Sequence, residues 1–488
     1  MHHDNKANRL RKEILARAAR AFFTDQPDDS LNRIPIQMRP KDARDSSRCC
    51  IYKDRAVLKY RTMAALGFSV EKEEDELKPI SAYYHEALER EEPVPPILTV
   101  IDTACSACVT TQYSATNACK GCLARSCESA CPKDAIEFRD GKAWLNPDRC
   151  VNCGLCMKAC PYHAIIRIPI PCEEACPVGA ITKDPVTGRE NIDHTKCTYC
   201  GKCLRECPFA AITDLSQMID VLNHLKSGRA VAMVAPSITG QLPGSLPRLV
   251  TALKMLGFSE VVEVAGGADE TARHESREWV EKISEGERFL TTSCCPAYVE
   301  AVDKHIPALG KYVSETPTPM AYTAAGVRKN DPDAVTVFIG PCIAKRVEAQ
   351  KNPDVDFVLT FEELGAMLVG ADIDVLECEE AAAQTAVPSR EGRGFAASHG
   401  VTDAVSAVVP GNALFEPVLV DGLDKKSLRQ LNLWATKPCP GNFVEVMSCE
   451  GGCIAGPGTL GNPKIAMREL KKLLDESPPL AAQPVAAE

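Results

Sequence analysis

No stretch of this 488-residue chain is apolar for long enough to cross a bilayer as a helix. The best runs, Ala230 to Ala235 and Val335 to Ile339, fall far short of the ~18 residues required. An excess of positive charge is also missing: 56 Lys and Arg stand against 66 Asp and Glu, a formal net charge of −10. That balance argues against nucleic acid as the main partner, because phosphate binding needs a basic face. The basic, amphipathic start puts Leu10, Ile14, Leu15, Ala18 and Phe22 on one helical face. It lacks an unbroken apolar segment ahead of a small-residue cleavage site, and Asp4 and Glu13 set it apart from a transit peptide. A cytoplasmic location without membrane attachment is therefore expected. Aromatics are sparse at 5%, but 45% hydrophobic and 25% charged residues suffice for a core and exclude wholesale disorder.

What the chain has in abundance is cysteine, 25 residues. In a reducing compartment, closely spaced cysteines are metal ligands far more often than disulfides. Sixteen lie in residues 99–213, and their spacing repeats. Cys150, Cys153, Cys156 and Cys160-Pro161 form C-x2-C-x2-C-x3-C-P, a string that recurs at Cys197, Cys200, Cys203 and Cys207-Pro208. Cys119, Cys122, Cys127 and Cys131-Pro132 carry one wider gap, and Cys172-x3-Cys176-Pro177 keeps only the last two positions. An Ala-Ile pair follows each copy in a similar frame (135–136, 164–165, 180–181, 211–212).

Three thiolates at x2 spacing wrap one face of a [4Fe–4S] cubane, and the fourth cysteine, before proline, ligates the neighbouring cluster. A structural zinc site prefers two C-x2-C pairs far apart with no C-P terminus. The crossed rule gives Cys119, Cys122 and Cys127 with Cys160; Cys150, Cys153 and Cys156 with Cys131; and Cys197, Cys200 and Cys203 with Cys176. Cys172 and Cys207 are left short of two ligands. The upstream pair Cys105 and Cys108 either completes a fourth cluster with them or stands free, so three to four accessory clusters are expected.

At ~150 residues per domain the length implies about three domains. Residues 1–98 read as a mostly helical region of unknown role, with a charged stretch from Glu71 to Glu76 and a stop at Pro93, Pro95 and Pro96. Residues 99–213 hold the iron–sulfur domains. In residues 214–470, runs rich in β-branched residues (Val231 to Val234, Val261 to Val264, Val335 to Ile339) alternate with helical stretches such as Leu246 to Leu256, closed by Gly257. That order predicts parallel βαβ units. Residues 471–488, proline- and alanine-rich from about Glu476, are expected to be a disordered tail. The fold class is thus multi-domain: ferredoxin-like α+β iron–sulfur domains followed by an α/β domain. Cys49, Cys50, Cys378 and Cys439 read as ordinary thiols.

Three cysteine motifs punctuate residues 290–460: TTSCCPAY with Cys294 and Cys295, GPCIAKRVE with Cys342, Lys345 and Glu348, and EVMSCEGGCIAGPG with Met447, Cys449 and Cys453. These resemble the three signature loops of the [FeFe]-hydrogenases, and the cysteine-rich region resembles the accessory domain of that family's multi-cluster members. The resemblance covers roughly residues 100–465. It implies an H-cluster: a [4Fe–4S] cubane joined through one cysteine sulfur to a two-iron subsite bearing CO, cyanide and a bridging amine dithiolate. Cys295, Cys342, Cys449 and Cys453 would ligate the cubane, with Cys453 as the bridge. Glycines 451, 452 and 456 fit a backbone pressed against a cofactor.

By the same resemblance Cys294 relays protons to the bridging amine, Lys345 donates to a cyanide, and Pro236 and Ser237 line that ligand together with Met447. Glu275, Glu278 and Thr316 stand where the family's proton path runs, with solvated helix faces as the plain alternative for the glutamates. The implied reaction is 2 H⁺ + 2 e⁻ ⇌ H₂. A redox carrier such as ferredoxin and H-cluster maturation proteins are the implied partners; nothing in the sequence sets the oligomeric state. Gly340 in place of methionine, Tyr298 in place of tryptophan, Ser448 in place of alanine and Pro457 within the last glycine run mark a divergent branch. Three rivals remain: a hydrogenase-like iron–sulfur assembly factor without the two-iron subsite, a sensory hydrogenase of low turnover, and a plain electron-transfer ferredoxin with an idle domain.

Overall fold

The structure is a computed structural model and describes residues 5–43, 48–106, 108, 112–383, 387–411 and 413–480. The chain opens with four helices, Lys6–Phe22, Pro27–Met38, Ile51–Ala65 and Ile80–Glu89. Asn5 caps the first, its side chain accepting from the Asn8 N–H at 2.9 Å. Ile14, Leu15 and Ala18 are buried, as the amphipathic pattern predicts, while Leu10 and Phe22 pack half-covered on the same core. That core is shared with the catalytic sheet. Helix Lys6–Phe22 lies against helix Phe361–Gly370 so closely that a Cβ on Gly370 would stand 2.8 Å from the Ala19 Cβ. The N-terminal region is therefore built into the molecule rather than attached as a separate body.

The iron–sulfur region contains two modules, one nested in the other. In the inner module, strand Tyr113–Ala115 pairs antiparallel with Ile165–Arg167, and Ile136–Arg139 with Lys142–Leu145. In the outer module, Leu98–Val100 pairs with Ile212–Asp214, and Ile181–Lys183 with Glu190–Ile192. The inner module thus enters the outer one between Cys108 and Cys172, which explains why the fourth cysteine string looks truncated. The Ala-Ile repeat has a local cause. In each copy the alanine is buried and its N–H donates to the Sγ of the cysteine four residues earlier: Ala135 to Cys131 at 3.3 Å, Ala164 to Cys160 at 3.4 Å, Ala180 to Cys176 at 3.2 Å and Ala211 to Cys207 at 3.4 Å. The isoleucine that follows is buried in each module's core.

The catalytic domain holds two parallel sheets. The first has the order Glu260–Glu263, Ala230–Val234, Val335–Gly340, Phe357–Thr360. The second has the order Leu290–Thr291, Phe443–Met447, Pro417–Asp421. Helices on both faces explain why Ala230–Val234 and Phe443–Met447 are buried along their whole length instead of alternating. Helix Leu246–Leu256 ends where expected, at Gly257 with φ +113°. Helix Pro463–Asp475 runs into the expected tail, and Leu480 is buried with its N–H donating to Glu391 at 2.7 Å. The expectation of disorder from 471 is thereby corrected; residues 481–488 lie outside the described residues. Among the described residues no helix is long and apolar enough to cross a membrane.

Candidate active site

Ligands of parallel sheets gather at the carboxyl ends of the strands, and every motif singled out in this domain lies there. Ser293-Cys294-Cys295 follows Leu290–Thr291, Pro341-Cys342 follows Val335–Gly340, Ser448-Cys449 follows Phe443–Met447, and Ala235-Pro236-Ser237 follows Ala230–Val234. The strand ends bring the thiols of Cys295, Cys342, Cys449 and Cys453 together, each acting electrostatically on the others. Burial and then neighbouring Cys295 and Cys453 push the Cys342 thiol up to about 12. Cys449 is raised by burial, then by Cys342, Cys295 and Cys453. Among the described residues no three His, Cys, Asp or Glu converge on a single metal ion; a cubane spreads its thiolates wider than one ion does.

Cys294 points to the other side of this group. Its thiol is raised by burial first, then by Glu275, Cys295 and Cys453, so it holds its proton. Lys345 opens helix Lys345–Lys351 and is buried, with Nζ 2.6 Å from Glu348 Oε2. The other Glu348 oxygen accepts from Thr318 Oγ1. Burial alone would depress the lysine, but Glu348, then Cys294 and Cys342, keep its pKa above the usual value. Glu348 is thus the group that orients Lys345. Ser237 and Ser448 are buried with hydroxyls that lack any hydrogen-bond partner, and Met447 is buried beside Ser448. Orphaned hydroxyls are costly unless something polar meets them. A sulfur-ligated cluster carrying diatomic ligands fits this donor set.

Helix Ala265–Ser284 carries Glu275 and Glu278 inward. Glu275 is 1% exposed, and its carboxyl is pushed up to about 8 by burial, then by Glu278. Burial would raise Glu278 as well. Hydrogen bonds from Ser314 Oγ at 2.6 Å, Thr316 Oγ1 at 2.7 Å, the Glu315 N–H at 2.8 Å and Lys282 Nζ at 3.0 Å instead hold it below the usual carboxylate range. The hydroxyl that stands beside both glutamates is therefore Ser314, which sequence reasoning missed; Thr316 reaches Glu278 alone. Glu445 was missed too. It is fully buried and accepts from the N–H groups of His399 and Thr402, both at 2.8 Å. A single charge inside the apolar string FVEVM was the signal.

The accessory thiols gather in the crossed pattern. Cys119, Cys122, Cys127 and Cys160 line one small cavity, and Cys131, Cys150, Cys153 and Cys156 another. Cys203 is raised by burial and then by Cys200, Cys197 and Cys176. Cys108 is raised by burial, with Cys105 and Cys207 among its neighbours, and Cys172 is pushed up to about 12 by burial, then Glu190 and Cys207. The outer module docks on the catalytic domain through Arg205, whose Nη1 donates to Ala455 O at 2.7 Å, and Lys304, whose Nζ donates to Cys197 O at 2.7 Å. Cys200 is thereby close enough to act on Cys449.

The glycines of the third motif have a reason other than the one expected. A Cβ on Gly452 (φ +87°) would stand 2.4 Å from the Ser398 N, and one on Gly456 2.8 Å from Pro341. They let protein loops, not a cofactor, approach; Gly451 needs its φ of +86°. The departures also pack. Phe338 fills the space over Gly340, where a Cβ would meet its ring at 2.4 Å. Tyr298 bonds Thr291 Oγ1 at 2.7 Å, and Pro457 lies on Gly201. Cys378 and Cys439 pack in hydrophobic cores apart from these sites, and Cys49 and Cys50 are exposed.

Residues 228–457 match the family described as iron only hydrogenase large subunit, C-terminal domain. Residues 143–166 match a 4Fe-4S binding domain and residues 171–211 a 4Fe-4S dicluster domain. Iron hydrogenase 1 of Clostridium pasteurianum is 28% identical over 418 residues, covering 72% of this chain and 70% of that protein. The cytosolic Fe-S cluster assembly factor NAR1 of Eremothecium gossypii is 25% identical over 267 residues, covering 42% of this chain and 59% of its own length. A solved [FeFe]-hydrogenase, studied for oxygen inactivation of its H cluster, aligns at a TM-score of 0.47 with 21% identity over 55% of this chain and 92% of that one. With ferredoxin-type 4Fe-4S domains ahead of an iron-only hydrogenase C-terminal domain, the chain belongs to the [FeFe]-hydrogenase family.

Proposed function

We propose that this protein is a hydrogenase that interconverts protons, electrons and H₂ at an H-cluster. One observation carries this reading: four buried thiols from three strand ends converge while a fifth, Cys294, lies free beside them and faces a buried carboxyl. Cys295, Cys342, Cys449 and Cys453 would hold the cubane; Lys345, Pro236, Ser237 and Met447 would line the two-iron subsite. When bound, the clusters supply one-electron steps and the iron site at which H₂ forms. The chain's own part is proton delivery and positioning. Cys294 keeps its proton at rest and passes it inward. Glu275, protonated at neutral pH, refills it. Ser314 connects Glu275 with Glu278, which stays ionised and takes protons from the surface through Thr316 and the Glu315 backbone. Glu348 and Thr318 hold Lys345 in place. Four accessory cubanes, on the crossed ligand sets, a ferredoxin-type carrier, maturation proteins and a cytoplasmic location complete the reading.

The similarity to an assembly factor supports a second reading, in which cubanes are held and no H₂ turns over. The free Cys294 beside Glu275 and the buried Lys345 favour the first, since cubane binding alone needs none of them. Protein produced with maturation proteins should evolve H₂ from a reduced carrier, and Cys294→Ala should lose ~10²-fold or more of that rate with cubane signals intact. Fully matured protein without H₂ turnover would establish the second reading.

A further inference from the structure

The N-terminal helices meet the iron–sulfur region at one place, the loops of Cys105 and Cys207, and they meet it with two arginines. Arg48 Nη1 donates to Ser106 Oγ at 3.0 Å and its Nη2 to Ala104 O at 2.5 Å, so it grips the residues on either side of Cys105. From helix Ile51–Ala65, Arg61 Nη2 donates to Phe209 O at 2.8 Å and Ala210 O at 3.3 Å, gripping the turn that follows Cys207. The Arg48 guanidinium also lies 5.6 Å from the centre of the Phe209 ring. Two halves of one thiol set, far apart in sequence, are thus held by neighbouring cations from a third segment.

The two cations repel each other, and Arg61 has no ion-pair partner among the described residues; its Nε is buried without a hydrogen-bond partner. Burial and then Arg48 draw the Arg61 pKa down to about 10, with the Cys207 thiol acting in the opposite sense. A buried cation without counter-charge is costly. A cubane on four thiolates carries a net charge of roughly −2 oxidised and −3 reduced, an anion of the kind this corner lacks.

We propose that Arg48 and Arg61 are positioning residues for a cubane held by Cys105, Cys108, Cys172 and Cys207, fixing its two loops and raising its reduction potential. A nearby cation stabilises the reduced, more negative state, so this cluster accepts an electron more readily than it would without them. The inference rests on the four-cubane reading above and gives the N-terminal region a role in it.

The test is a potentiometric titration of the fully assembled protein followed by electron paramagnetic resonance, with iron counted in the same samples. Arg61→Met should move one accessory signal to more negative potential, leave the others in place and keep the iron content. Arg61→Lys should restore most of the shift. Loss of that one cluster in Arg61→Met and its retention in Arg61→Lys would support the proposal equally. Unchanged potentials with iron for all clusters would overturn it and leave the four-cubane reading standing. If Cys105→Ser leaves the iron content of the parent protein unchanged, the four-cubane reading itself fails, and this inference with it.

Discussion

Gly201 and Pro457 meet at the seam between the outer iron–sulfur module and the catalytic domain, with a Cβ at 201 placed 2.7 Å from the proline ring. Gly201 follows Cys200, and Pro457 belongs to the loop that carries Cys453, so this contact sets the separation of two thiol sets. Gly201 also needs its φ of +74°. Gly201→Ala should cost about 1–3 kcal/mol of stability and slow carrier-driven turnover without loss of iron. Calorimetry and a carrier-driven assay check this; an unaltered rate would show that the seam does not govern electron supply.

Ser314 is the hydroxyl beside both Glu275 and Glu278. Ser314→Ala should lower H₂ evolution by about 10²-fold, whereas Thr316→Ala, which takes only one donor from Glu278, should cost far less. Equal losses in the two variants would move the route to Thr316.

Glu275 gives a pH signature. Its folded-state pKa of about 8 lies above the unfolded value, so between the ordinary carboxylate range and pH 8 the folded chain binds a proton that the unfolded chain has lost. Its stabilising effect is complete below the unfolded pKa and is lost as pH rises through about 8. Glu275→Gln should flatten that decline. Denaturation across pH 5 to 9 measures it, and an unchanged slope would assign the decline to other groups.

Glu348→Gln should weaken the hold on Lys345 and reduce activity about 10- to 100-fold, as loss of an orienting partner does. Lys345→Met should lose the two-iron subsite while keeping the cubane. Infrared and paramagnetic resonance spectra of each variant separate the two effects.

Arg346 is 1% exposed and joins Asp214 and Glu363, both at 2.8 Å. Arg11 from the first helix also pairs with Asp214. Arg346→Met leaves two buried carboxylates poorly compensated and should cost about 3–5 kcal/mol, measured by chemical denaturation. A loss below 1 kcal/mol would mean that Arg11 alone suffices.

Much of this was legible because cysteine spacing is chemistry written locally. The crossed partners of Cys131 and Cys160 follow from the x2 and x3 gaps, and Leu246 to Leu256 with Gly257 carries its own stop. What was not legible depended on tertiary approach. Ser314 looked no different from any surface serine until the strand end carried it to Glu278. Glycines 452 and 456 gave way to Ala397–Ser398 and Pro341, residues that no local pattern connects to them. The role of Arg48 and Arg61 required knowing that the outer module is split, which brings Cys105 and Cys207 to one corner.

The central claim is that Cys295, Cys342, Cys449 and Cys453 grip an H-cluster with Cys294 free beside it. Infrared spectroscopy of protein produced together with maturation proteins tests it most directly. The account predicts bands in the CO and cyanide stretching region, retained in Cys294→Ala, with about 22 irons per chain. Full cubane signals with no such bands would contradict it.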